Sequence, residues 1–174
     1  MQDFMRRVSA KLAWIANLAL WLSAAGLVLM TIFIGWQIFG RFVLNDSPVW
    51  TEPVAILLMS WFIFLGSAVG IREGYHMSFD ILIYMLPRRG RVALYTVSDL
   101  ILIAFGLGML IYGSQMAVGT WKSTMPALGV PGGFPFLALV AGGALTVIFS
   151  LERIALRMAG MPTAGFGETI ISGD

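Results

Sequence analysis

LAWIANLALWLSAAGLVLMTIFIGWQIFG, residues 12–40, is a run of 29 residues without a formal charge. A charged side chain at the centre of a bilayer costs about 2.5–3.5 kcal/mol on insertion scales, so a gap of this length marks where a chain can cross lipid. Three more gaps follow: Pro53 to Ile71, Leu100 to Trp121, and Ser123 to Leu151. A spanning helix needs about 20 apolar residues. Each gap supplies one span, and the fold class expected is all-α, an integral membrane domain of four transmembrane helices. The spans are placed at about 12–40, 53–71, 95–121 and 134–153. The last starts near Phe134 because Pro126, Gly129, Pro131, Gly132 and Gly133 break the chain before it.

Composition agrees with lipid as the solvent. The 174 residues are 59% hydrophobic and 11% charged, with a mean hydropathy of +0.87. A soluble domain carries about 25% charged residues. Four spans and their joins, residues 1–159, leave no length for a soluble catalytic domain, and residues 160–174 are expected to be a flexible tail. Arg6, Arg7 and Lys11 before the first apolar run resemble the start of a secretory signal. A cleavable signal has an apolar region of only about 7–15 residues, so the run is expected to be a retained helix.

The Lys and Arg residues fall unequally. Nine of them (Arg6, Arg7, Lys11, Arg72, Arg88, Arg89, Arg91, Arg153 and Arg157) lie on one side of the four spans, against Arg41 and Lys122 on the other. The positive-inside rule therefore puts both termini and the segment from Arg72 to Arg91 in the cytoplasm, as for a multi-pass protein of a bacterial inner membrane. Within that segment, Met77 to Leu86 is apolar but too short to span. It is expected to form a short interfacial helix, anchored by the arginines that follow Pro87.

Several function classes are excluded. The basic residues sit at span ends rather than in one patch, which argues against a nucleic-acid partner. With no cysteine there is no thiolate catalysis and no iron–sulfur or thiolate zinc site. The single His76 restricts other metals, and haem would have to be shared with another subunit. No nucleophile–base pair or phosphate-cradling loop is present, so neither enzymatic activity nor a cofactor is expected.

The remaining candidates are few. Gly66 and Gly70 in the second span, Gly106 and Gly113 in the third, and Ala138 and Gly142 in the fourth have the spacing of close helix packing, within the chain or against a partner. Asp99 is either an intramembrane acid, and then a candidate for ion coupling, or an interfacial one paired with Arg91 or Arg153. Gln37, Arg41, Asp46, Trp50 and Glu52 gather around the first outer loop, where Arg41 with Glu52 or Asp46 would make an ion pair. Thr51 is available to cap the second helix, with Pro53 in its first turn.

Trp36-Gln37-Ile38-Phe39-Gly40-Arg41-Phe42, Trp50-Thr51-Glu52, Leu65-Gly66-Ser67-Ala68, the run Arg72-Glu73-Gly74-Tyr75-His76-Met77-Ser78-Phe79-Asp80, and Ala127-Leu128-Gly129-Val130-Pro131 follow one another in this order. Together they resemble the small membrane subunit of tripartite ATP-independent periplasmic (TRAP) transporters. The pattern departs at Pro53, where that family usually has a second acid. The resemblance implies a sodium-driven uptake system for an organic acid. Its partners would be a large permease, which moves the substrate, and a periplasmic substrate-binding protein, which delivers it. The small subunit would scaffold the permease and help dock the binding protein. It also implies outer-face roles for Gln37, Arg41, Trp50 and Glu52, and a structural role for Arg72, His76 and Asp80 in the cytoplasmic loop. The competing readings are an autonomous homodimeric four-helix exporter using Asp99, and a membrane anchor of a redox complex.

Overall fold

The chain breaks where its glycines and prolines fall. In the computed structural model, which describes residues 2–46, 48–74 and 87–161, four helices account for most of the described chain: α1, Gln2–Phe39; α2, Thr51–Arg72; α3, Arg88–Gly119; and α4, Phe134–Met158. All four are long and apolar enough to cross a membrane. Among the described residues there is no strand, only an isolated bridge between Thr124 and Pro131 in the loop before α4.

Helix ends follow local chemistry. α1 runs into a π-helical turn, Gly40–Leu44, and stops at Asn45, whose φ of 52° is left-handed. Pro87 lacks an N–H and stands extended (ψ 155°) before α3. Pro135 opens α4, and Gly160 (φ 70°) closes it, with the Met161 N–H reaching the Leu156 carbonyl at 3.0 Å.

Two boundaries differ from the sequence reading for a shared reason. α1 begins at Gln2 and α3 at Arg88, so Lys11 and Arg91 lie within helices rather than before them. Arginine and lysine are good helix formers, and a charge in the first turns of a long helix can rest at the headgroup level. The expected interfacial helix, 77–86, lies outside the described residues, as does all of the tail beyond Met161.

The helices form a row in the order α1–α2–α4–α3, not a ring around a central space. Ala16, Ala19 and Ser23 of α1 face Leu65, Ala68 and Val69 of α2, and Phe149 of α4 completes that core. The α3–α4 contact is closer still. A Cβ on Gly143 would stand 2.8 Å from the Gly106 carbonyl oxygen, so the backbones touch there only because neither residue has a side chain. At the ends of the row the large side chains point outward, with Trp21 of α1 75% and Phe105 of α3 66% exposed, as suits contact with lipid or a partner.

Candidate functional site

The charged residues of α2, α3 and α4 meet at the end of the row that carries the termini. Arg72, the last residue of α2, places Nε 3.1 Å and Nη2 3.3 Å from the two carboxylate oxygens of Glu152 in α4. Ser9 of α1 donates to the same carboxylate at 2.7 Å, and Arg72 Nη2 donates to the Ser9 carbonyl at 3.4 Å. Three helices are thereby tied through one carboxylate. Beside them, Asp99 of α3 lies between two guanidiniums of α4, with Arg153 Nε 3.4 Å from one oxygen and Arg157 Nη2 against the other. Arg153 also donates through Nη1 to the Ile71 carbonyl at the end of α2.

This layer is buried. Asp99 is 0% exposed, and the side chains of Arg153 and Arg157 are 3% and 4% exposed. Isolated charges in such a setting cost several kcal/mol each through lost hydration, so the pairing is required rather than ornamental. Arg153 serves twice over, since the last carbonyls of α2 have no partner within the helix and carry its partial negative charge. Two aromatic faces complete the layer: the Arg72 guanidinium lies 5.8 Å from the Phe149 ring centre, and that of Arg157 lies 5.8 Å from Tyr95. Asp99 is thus enclosed by protein at the level of the last turn of α2 and committed to Arg153 and Arg157. Arg91 is not its partner.

The opposite end is held by neutral contacts. Gly40 is buried in the π-helical turn, where the Asp46 N–H returns to its carbonyl at 3.1 Å and a Cβ would stand 2.8 Å from the Asp46 carbonyl oxygen. Thr51 is fully buried and donates to the Pro48 carbonyl at 2.7 Å. It therefore pins the preceding loop and does not cap α2, whose N-terminus has no side-chain cap. Trp50 meets Phe33 of α1 edge to face at 5.7 Å between ring centres. Gln37 is half-buried, and Arg41, Asp46 and Glu52 are exposed. Arg41 forms no ion pair with Asp46 or Glu52 among the described residues, so the outer end presents these charges separately.

The family model for tripartite ATP-independent periplasmic transporters, DctQ component, matches residues 30–160. This chain belongs to that family. It is a TRAP small permease subunit, and its family is one of transporter membrane subunits, not enzymes. The sialic acid TRAP transporter small permease protein SiaQ of Vibrio cholerae is 29% identical, over 76% of this chain and 75% of its own length. A putative TRAP transporter small permease protein of Haemophilus influenzae is 27% identical, over 74% and 80%. The C4-dicarboxylate TRAP transporter small permease protein DctQ of Rhodobacter capsulatus is 30% identical, over 64% of this chain and 49% of the relative.

In this small permease the glycines picked out by their spacing divide. Gly66 meets Ser23 of α1, Gly106 meets Gly143 and Val147, Gly113 meets Leu139 and Val140, and Gly142 meets Phe64 of α2. A Cβ on Gly70 would meet nothing within 4 Å among the described residues, so no described helix closes on that position. His76 and Asp80 lie outside the described residues. Sequence reasoning misses Glu152 and Arg157, although two arginines and an acid at 152, 153 and 157 of an apolar helix are a signal of buried partners on neighbouring helices. Among the described residues no cluster of acids or histidines is suited to a metal ion.

Proposed function

We propose that this small permease braces the large permease of a sodium-driven TRAP transporter and offers part of the docking surface for the periplasmic binding protein. One observation carries the reading: the four helices form an open row whose buried charges are spent on one another at one end. A row encloses no conduit. Asp99, on which an autonomous exporter would depend, is held by two arginines and is not free to exchange an ion. The outward faces of α1 and α3 remain for lipid and for the larger subunit. The cargo is an organic acid, a reading supported by relatives named for sialic acid and C4-dicarboxylate transport. On the positive-inside argument, both termini face the cytoplasm and the Arg41–Glu52 region faces the periplasm.

The test is co-expression with the large permease and reconstitution with the binding protein. The two membrane chains should purify together, and uptake should need all three proteins and an inward sodium gradient. Arg41→Glu combined with Glu52→Arg should leave co-purification unchanged and raise the concentration of binding protein needed for half-maximal uptake. Uptake by this chain alone would overturn the brace. Unchanged dependence on the binding protein would remove the docking role. Orientation is open to a direct check because the chain has no cysteine: a cysteine introduced for Ser123 should react with an impermeant maleimide in intact cells, and one for Ala159 only after permeabilisation.

A further inference from the structure

Among the described side chains, the terminal layer does not balance its own charge. Glu152 is matched by Arg72 and Ser9. In the other half, one carboxylate, Asp99, faces both Arg153 and Arg157. Arg91 adds a third cation: Arg91, Tyr95 and Asp99 recur at intervals of four on α3 and form one stripe along the helix. The acids described on the packed elements are already engaged. Glu73 of α2 is exposed and lies 3.4 Å from Arg72, and α4 has only Glu152 in this region.

The donors tell the same story. A guanidinium carries five N–H donors, and buried charged donors without acceptors are costly. Nη1 of Arg157 and Nε of Arg91 are buried without a hydrogen-bond partner, whereas Nη2 of Arg157 is taken by Asp99. Arg91 as a whole is only half-buried and stands at the mouth of the α3–α4 seam, whereas the Arg157 side chain, 4% exposed, is enclosed within it. An anion held by Arg91 at this mouth would also offset the excess positive charge of the layer behind it. For groups at the end of membrane-spanning helices, the abundant anion of that kind is the phosphodiester of a phospholipid, which planar guanidiniums bind through paired hydrogen bonds.

We propose that Arg91, backed by the excess positive charge of Arg153 and Arg157 around Asp99, forms a binding site for the headgroup phosphate of an anionic phospholipid at the terminal end of the α3–α4 seam. The site takes one lipid from the adjoining leaflet and uses it as counter-ion for the charge that Asp99 leaves unmatched.

The full chain, reconstituted in nanodiscs of phosphatidylcholine with graded phosphatidylglycerol and released for native mass spectrometry, should retain one phosphatidylglycerol in preference to phosphatidylcholine. Arg91→Gln should lower that retention about fivefold, the usual weight of one basic residue at an anionic surface, and Arg91→Lys should recover part of it. Arg157→Gln also strips Asp99 of a partner and can fail to fold. Arg91→Gln, which touches no described ion pair, is therefore the deciding variant, with circular dichroism checking its helix content. Three results would each overturn the proposal: equal retention of the two lipids, retention unchanged in Arg91→Gln, or full displacement of the lipid by excess inorganic phosphate. A fourth is increased retention in Asp80→Asn, which would make an acid of the chain itself the counter-ion.

Discussion

Replacing Asp99 by asparagine keeps the volume of the side chain and removes its charge, which isolates the electrostatic weight of the buried layer. At 3.4 Å, the Arg153 separation, two unit charges interact by about 5 kcal/mol at an effective dielectric constant near 20. Part of that attraction only offsets the hydration the ions lost on burial. The substitution recovers none of the hydration lost by Arg153 and Arg157, however, so it leaves two guanidiniums buried without their carboxylate. Breaking a buried pair in this way costs about 3–5 kcal/mol, whereas an exposed pair is worth about 0–1 kcal/mol. The assay is equilibrium unfolding in mixed micelles by sodium dodecyl sulfate, followed by far-ultraviolet circular dichroism. Glu73→Gln is the control, because that carboxylate is 43% exposed beside Arg72 and should change stability by no more than about 1 kcal/mol. If Asp99→Asn also costs less than about 1 kcal/mol, the carboxylate is solvated in the native protein and the three charges do not form a buried, mutually dependent cluster.

Two further perturbations probe the neutral contacts. Gly143→Leu forces a side chain against the Gly106 backbone and Met109 and should destabilise by at least about 1–3 kcal/mol, while Gly70→Ala, with open space around it, should stabilise by about 0.5–1 kcal/mol; effects of the same sign in unfolding titrations would contradict the close α3–α4 approach. Thr51→Val removes the hydroxyl that holds the Pro48 carbonyl and should cost about 1 kcal/mol while leaving α2 its full length by circular dichroism; a fall in helix content instead would mean that Thr51 acts as a cap after all.

The four spans are legible in the sequence because lipid imposes one rule on every residue of a crossing segment, and Leu12–Gly40 or Pro53–Ile71 obeys it without exception. The helix ends are less so. Arg91 in α3 shows why: a charge marks the edge of the hydrocarbon, but the helix that carries it need not stop there. The ionic layer is legible only in part. Asp99 stands out as a lone acid, and Arg153 as a basic residue within its reach. Arg157 has the look of a topology signal, and Glu152, flanked by an arginine, that of ordinary span-end polarity. Their burial depends on the order α1–α2–α4–α3, which brings the ends of α2 and α4 together. Nothing in the periodicity of either helix fixes that neighbour relation. Thr51 misleads for a related reason: a threonine before an apolar helix suits a cap by composition, but the tight Gly40–Pro48 loop behind it offers its hydroxyl a nearer acceptor.

The placement of the charges bears on what the row of helices can do mechanically. At the terminal end, sliding α2 along α4 must break the Arg72–Glu152 pair and the Arg153 bond to Ile71, and sliding α3 along α4 must break the Asp99 pairs. Breaking a buried ion pair in this layer leaves a charge among the helices without its partner, at about 3–5 kcal/mol. Ser9 extends the same restraint to α1. At the loop end the described contacts are a hydroxyl, an aromatic pair and a buried glycine, and the charges Arg41, Asp46 and Glu52 stand exposed and unpaired with one another. On the brace reading, this asymmetry separates two tasks. The terminal end keeps the row rigid enough to support a larger subunit, while the outer charges are free to be matched by a second protein, because none of them is already spent on holding the helices together.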